Sequence, residues 1–160
     1  MAYLPISINV TGKKILIIGG GRIAHHKIGF LEQFADNIAV VAIDVIDEIK
    51  RKNVQYTEKP YEKSDLKDAF LIYACTNIKE LNKQVKADAE ELGKLCNVVD
   101  NPPLCDFVSP AIYKNGIYTV ACGSNAQDVY KSIEIRNKIK EYLEHDPSTF
   151  HPSEHFTHRT

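Results

Sequence analysis

Between the apolar run Lys14-Ile15-Leu16-Ile17-Ile18 and a stretch of helical periodicity lies Gly19-Gly20-Gly21-Arg22-Ile23-Ala24. Read as G-x-G-x-x-A at a strand-to-helix turn, this segment predicts a parallel α/β fold built to hold a dinucleotide. Gly19 permits the tight turn, Gly21 lets the backbone approach a pyrophosphate, and Ala24 lets the helix pack close to the strand. The helix N-terminus then offers N–H groups and a partial positive charge to phosphates. The reading places Gly19, Gly20, Gly21, Arg22, Ile23 and Ala24 along the cofactor, with Arg22 either touching the pyrophosphate or facing water. The competing account is a purely structural βα turn in a fold that binds something else.

The rest of the chain supports the first account. Tyr3–Val10 alternates as a strand, and Ile38–Ile43, Val54–Thr57, Phe70–Ala74 and Asn97–Val99 read as further strands. Between them, Ile23, Lys27 (through its stem), Phe30, Leu31 and Phe34 form one helical face, Val45–Lys52 a short helix, and Leu81, Val85, Ala89 and Leu92 another face. After Asn101-Pro102-Pro103 the pattern changes. Phe107–Ile112 and Ile117–Ala121 read as two strands joined by a turn, followed by a helix at Asp128–Leu143 with Val129, Ile133, Ile139 and Leu143 as its stripe. The expected architecture is a Rossmann-type parallel sheet with helices on both faces, followed by a small strand-plus-helix region. The boundaries fall at 1–112 for the nucleotide domain, 113–144 for a dimerisation and substrate-binding region, and 145–160 for a His-rich tail.

Charge and cysteine usage narrow the function classes. Lys+Arg 20 against Asp+Glu 21 argues against a general nucleic-acid binder. No run approaches membrane-spanning length, and Met1–Pro5 lacks the form of a secretory signal. Cys75, Cys96, Cys105 and Cys122 show no C-x-x-C pair, so reduced thiols in a cytoplasmic protein are expected.

Three strand ends carry candidate chemistry. Asp44 closes the second strand, with Ala42 and Ile43 beside it. A carboxylate there accepts hydrogen bonds from the adenosine ribose and repels a 2′-phosphate, favouring NAD over NADP; it can equally be a helix N-cap. Thr76 and Asn77 end the fourth strand, where they either reach a cofactor ribose or cap the next helix. Asp100 ends the fifth, beside two prolines, and is either a general base or a turn former. Asp106 is expected to bond backbone in the same loop. His25 and His26 lie on the first helix, on its surface or near a cleft. His145, His151, His155 and His158 fit no fixed ligand set, so no metal site is expected.

Several separated segments resemble one family, the precorrin-2 dehydrogenases and the NAD-binding module of sirohaem synthases. They are Leu4-Pro5-Ile6, the run from Gly19 to Lys27, Ala74-Cys75-Thr76-Asn77 with Glu80-Leu81-Asn82, and above all Asn97-Val98-Val99-Asp100-Asn101-Pro102 with Leu104-Cys105-Asp106-Phe107 and Pro110-Ala111. The resemblance covers about Leu4 to Ala121. It implies oxidation of precorrin-2 to sirohydrochlorin with NAD, catalysis at the position of Asp100, and a homodimer formed through the region after the nucleotide domain. Some members also insert iron. Because precorrin-2 is a polycarboxylate, Lys114, Lys131 and Arg136 become candidate substrate-binding cations. Relatives often carry Ser/Thr-Gly-Gly-x-Ser-Pro where this chain has Cys122-Gly123-Ser124-Asn125-Ala126-Gln127, and they commonly extend further past the last helix. The alternative of another class is a non-catalytic module that senses NAD(H).

Overall fold

The structure, a computed structural model, describes residues 2–99 and 101–145. Asp100 and the tail from Asp146 onward, with its expected His151, His155 and His158, lie outside the described residues. The chain packs as two units that meet at Val108 and Ser109.

The first unit runs β1 (Ile15–Ile18), α1 (Arg22–Leu31), β2 (Ile38–Ala42), α2 (Asp47–Lys50), β3 (Gln55–Glu58), β4 (Leu71–Ala74), α3 (Lys79–Glu91) and β5 (Leu95–Val98). Its five strands are all parallel, in the order β3-β2-β1-β4-β5. The chain therefore winds outward from β1 in one direction and returns to start the other half at β4, leaving a switch point between β1 and β4. β1 is buried on both faces: Ile15 and Ile17 pack with Ala24 and Ile28 of α1, while Leu16 and Ile18 pack with Val85 and Ala89 of α3. That double coverage is why the strand is apolar throughout rather than alternating.

Some sequence expectations shift. The buried face of α1 is Ala24, Ile28 and Leu31, whereas Ile23 is 41% exposed. The stripe thus turns away from Ile23, while Lys27 stays half-buried with its ammonium 5.6 Å from the centre of the Tyr73 ring. Residues Tyr3–Val10 form no strand; Leu4, Ile6 and Ile8 are exposed, and the five-stranded ladder is complete without them. Their alternation supplies strand-like side chains, but a strand also needs a neighbouring edge.

The second unit holds an antiparallel hairpin, β6 (Ala111–Asn115) and β7 (Tyr118–Cys122), followed by α4 (Val129–His145). β6 begins later than the expected Phe107 because Phe107 is held in the first unit. Its carbonyl accepts from Asn97 Nδ2 at 2.8 Å, and its ring meets Tyr73 edge-on at 5.3 Å. α4 is started by Asp128, whose Oδ1 accepts the Lys131 N–H at 2.8 Å. The expected stripe of α4 is covered in part: Ile139 and Leu143 are half-buried, Val129 and Ile133 are 60% and 37% exposed, and Ser132 is the one buried residue of the helix.

Before α4, Asn125 and Ala126 take φ values of 52° and 60°. Alanine gains nothing from this left-handed region, so Ala126→Gly should stabilise this unit by about 1 kcal/mol. A higher midpoint in thermal melts checks it, and an unchanged or lower midpoint counts against strain at this turn. Among the described residues no helix is long and apolar enough to cross a membrane, and no group of three ligating side chains could hold a metal. All four cysteines are free thiols.

Candidate functional site

The loops at the carboxyl ends of β1, β2 and β4 meet at the switch point, where ligands of open α/β sheets bind. Each glycine of the first loop has its own reason to be there. Gly19 has φ +121°, and a Cβ on it would lie 2.7 Å from the Cys75 carbonyl oxygen. A Cβ on Gly20 would lie 2.2 Å from the Asp44 carbonyl oxygen and 2.8 Å from Val45 Cα, and the Gly20 carbonyl accepts the Ile46 N–H at 3.0 Å. These two residues therefore hold the loop against its neighbours on either side.

Gly21 differs. Its φ is −94°, an ordinary extended value, and a Cβ there would meet nothing within 4 Å. No contact with the described residues requires glycine at this position. It is the N-cap of α1, whose first turn has no side-chain cap and no acid. An open backbone face leading into an uncapped helix N-terminus fits a pyrophosphate in charge and in space. Arg22 is exposed at the same end, and Ala24 lies fully buried beneath it.

Asp44 is exposed just beyond β2, with Ala42 half-buried and Ile43 72% exposed. It does not cap α2, because the N-cap is Ile46 and no side chain closes that end. The N-cap alternative therefore falls. Sequence reasoning missed Glu58, at the end of β3, whose Oε1 accepts the Val45 N–H at 3.2 Å and the Lys50 ammonium at 2.8 Å. Those two bonds, Lys50 first, hold its carboxyl below the usual carboxylate range.

Thr76 is engaged within its own loop. Its hydroxyl donates to Asn82 Oδ1 at 2.7 Å and accepts the Ile78 N–H at 3.1 Å. The buried Asn82 also accepts the Thr76 N–H at 3.1 Å and donates to its carbonyl at 2.9 Å. Asn82 is thus the residue that shapes the β4 loop, while Asn77 stands exposed beyond it.

The segment that follows Asp100 is tied to β5. Asp106 Oδ2 accepts the Cys96 N–H at 2.9 Å, so it bonds the backbone of β5 and not, as expected, that of its own loop. Its Oδ1 meets the ammonium of Lys86 at 2.6 Å. Cys105 Sγ accepts the Val98 N–H at 3.2 Å and lies 3.1 Å from the Val98 carbonyl oxygen. Burial raises the pKa of Cys105 and pushes Cys96 up to about 12, so both stay protonated structural thiols.

Lys86 was expected on the polar face of α3, yet its side chain is 8% exposed, between Asp106 and Glu90. Burial pulls its pKa down, but its bonds to Asp106 and Glu90 outweigh this and leave it raised. Its contribution is therefore present at and below neutral pH and fades only above the ordinary lysine range. Lys86→Ala strands the Asp106 carboxylate and should cost about 2 kcal/mol, below the full buried-pair value because Asp106 is partly exposed. Urea melts at pH 7 measure this; a change below the error of the method would show the pair to be idle.

In the second unit Lys114 and Lys131 are exposed, and Lys131 pairs with Glu134 at 2.8 Å. Arg136 Nη1 donates to the Ile112 carbonyl at 2.7 Å, joining α4 to β6. His25 and His26 sit on α1, half-buried and exposed respectively.

A family model described as "Putative NAD(P)-binding" matches residues 6–111. A siroheme synthase of Ruthia magnifica subsp. Calyptogena magnifica is 34% identical over 149 residues, covering 91% of this chain and 32% of that protein. A siroheme synthase of Nitrosomonas europaea is 32% identical over 145 residues, covering 88% of this chain and 30% of its own length. The chain thus spans about a third of the length of the curated relatives it matches. The solved structure of SirC, a precorrin-2 dehydrogenase, superposes with a TM-score of 0.75 at 24% identity, over 88% of this chain and 70% of that one. That likeness matches the Rossmann-type fold with its small appended hairpin and helix. With the glycine loop, the switch point and the matched residues in agreement, the chain belongs to the NAD(P)-binding family represented among these siroheme synthases.

Proposed function

We propose that this protein is an NAD-dependent dehydrogenase that oxidises precorrin-2 to sirohydrochlorin. The observation that carries the reading is Gly21: an open, unstrained glycine at an uncapped helix N-terminus, in a loop that Gly19 and Gly20 hold at the switch point. The relatives named siroheme synthase supply the substrate class.

In this reading Gly21, Arg22 and Ile23 hold the pyrophosphate, and Asp44 with Ala42 and Ile43 holds the adenosine ribose. Thr76 and Asn77 line the path toward the nicotinamide, with Asn82 fixing the Thr76 backbone. When bound, NAD supplies the acceptor for a hydride leaving the macrocycle. Asp100 takes a proton released in the same oxidation, and Lys114, Lys131 and Arg136 are the cations offered to substrate carboxylates. The exposed apolar side chains of α4, among them Val129, Tyr130 and Tyr142, support a homodimer formed through the second unit. A cytoplasmic setting accords with the four free thiols.

The direct test is anaerobic incubation of the purified protein with precorrin-2 and NAD. The expected result is growth of sirohydrochlorin absorbance together with NADH. NADH binding without turnover would instead indicate a nucleotide-sensing module. Adding Fe(II) to sirohydrochlorin, with and without residues 146–160, tests for iron insertion; weak activity or none is expected, because no fixed metal site is present among the described residues.

A further inference from the structure

The β2–α2 turn that presents Asp44 is held from two sides. Gly20 packs against the Asp44 carbonyl, and Glu58 reaches across from β3 to accept the Val45 N–H. β3 is placed for this by its parallel pairing, with Ala42 beside Glu58, and by the Lys59 N–H donating to the Ala42 carbonyl at 2.8 Å. The same carboxylate oxygen of Glu58 engages Lys50, the last residue of α2. Lys50 is the cation at this corner, with the Tyr56 ring 5.9 Å from its ammonium. Asp44 is close enough to add to the upward shift of the Lys50 pKa, after the larger effect of Glu58.

A 2′-phosphate on the adenosine ribose would arrive beside Asp44, where it needs a cation free to meet it. The geometry points to Glu58 as a positioning residue that sets the choice between NAD and its 2′-phosphorylated form. It latches the turn that carries Asp44, and it engages the ammonium of Lys50 so that this corner stays negative. The inference rests on the nucleotide reading above and deepens it. It concerns binding alone and needs no catalytic step.

The two duties of Glu58 separate by substitution. Glu58→Gln keeps an oxygen acceptor for the Val45 N–H but no longer holds the Lys50 charge. Calorimetric titration of the full chain with NADH and with NADPH reads the outcome. The wild type should prefer NADH. Glu58→Gln should bind NADPH about tenfold more tightly than the wild type does, the scale of one released surface charge near a phosphate, with NADH affinity little changed. Adding Lys50→Met should remove that gain, and Lys50→Met alone, which keeps the Val45 bond and leaves the Glu58 carboxylate uncompensated, should move the ratio no closer to NADPH.

Equal weakening of both nucleotides in Glu58→Gln would make Glu58 a structural prop and overturn the proposal. So would a gain that survives Lys50→Met, a ratio shifted toward NADPH by Lys50→Met alone, or a wild type that prefers NADPH. Failure of the wild type to bind either nucleotide is a distinct result, and it overturns the nucleotide reading together with this one.

Discussion

A Gly21→Val protein is expected to melt close to the wild type and to lose most of its NADH affinity. Valine suits the extended backbone of position 21, and its Cβ meets no atom of the described residues within 4 Å, so folding has little to lose. What the side chain does fill is the space in front of the α1 N-terminus, where a pyrophosphate must come within hydrogen-bonding distance of backbone N–H groups. Affinity should fall on the order of 10²-fold or more, the equivalent of losing about 3 kcal/mol of phosphate contacts. Gly20→Ala supplies the opposite result from a smaller change. Its single methyl would lie 2.2 Å from the Asp44 oxygen, so the β2–α2 turn must move as a body. Because the obstructing atoms are backbone, the cost should reach the upper end of overpacking, about 3 kcal/mol. Calorimetry and thermal melts on the pair read both arms. Unchanged NADH affinity in Gly21→Val would place the cofactor elsewhere.

The second large effect belongs to Asp100. If it is the proton acceptor, Asp100→Asn should keep NADH affinity and lower turnover of precorrin-2 on the order of 10²-fold or more. The residues on either side of it have anchors of their own. The Val99 N–H donates to the Ala74 carbonyl at 3.0 Å, the Asn101 N–H to the Val98 carbonyl at 3.2 Å, and Cys105 and Asp106 bind β5. A substitution at 100 therefore leaves these anchors in place, and kinetics and stability can be told apart. A turn-forming role predicts the reverse pattern, a lower melting midpoint with turnover reduced only in proportion. An Asp100→Asn protein that is stable and turns over at the original rate would end the catalytic assignment and leave the cofactor site standing.

Most of the sheet was legible in the sequence because β1, β2 and β4 are covered on both faces, whereas β3 is exposed throughout. A run such as Ile15–Ile18 has no other stable place, and each such run lies within a residue or two of its observed position. Contacts that join residues far apart in sequence left no local signal. Nothing near Glu58 announces that it will meet Val45, and nothing in the period of α3 distinguishes the buried Lys86 from the lysines that face water. The three glycines illustrate the same boundary. The motif supplies three candidates for one ligand, and only the packing around them separates Gly20, fixed by Asp44, from Gly21, fixed by nothing among the described residues. The N-terminal strand and the early start of β6 were misplaced for a related reason: alternation describes side chains, while the ladder depends on which edges are available.

The attachment of Asp106 and Cys105 to β5 has a consequence for the protein in a crowded solution. β5 is the last strand of the sheet, and its outward backbone groups at Cys96 and Val98 would otherwise present an open template to any extended chain nearby. Here those positions are taken by a carboxylate, a thiol and the Asp106 main chain, whose N–H donates to the Cys96 carbonyl at 3.0 Å. The segment that carries the family signature thus also terminates the sheet, as a selvedge keeps cloth from unravelling. Changes that loosen it should appear first as concentration-dependent self-association through this margin, before any loss of the nucleotide site on the opposite side of β4.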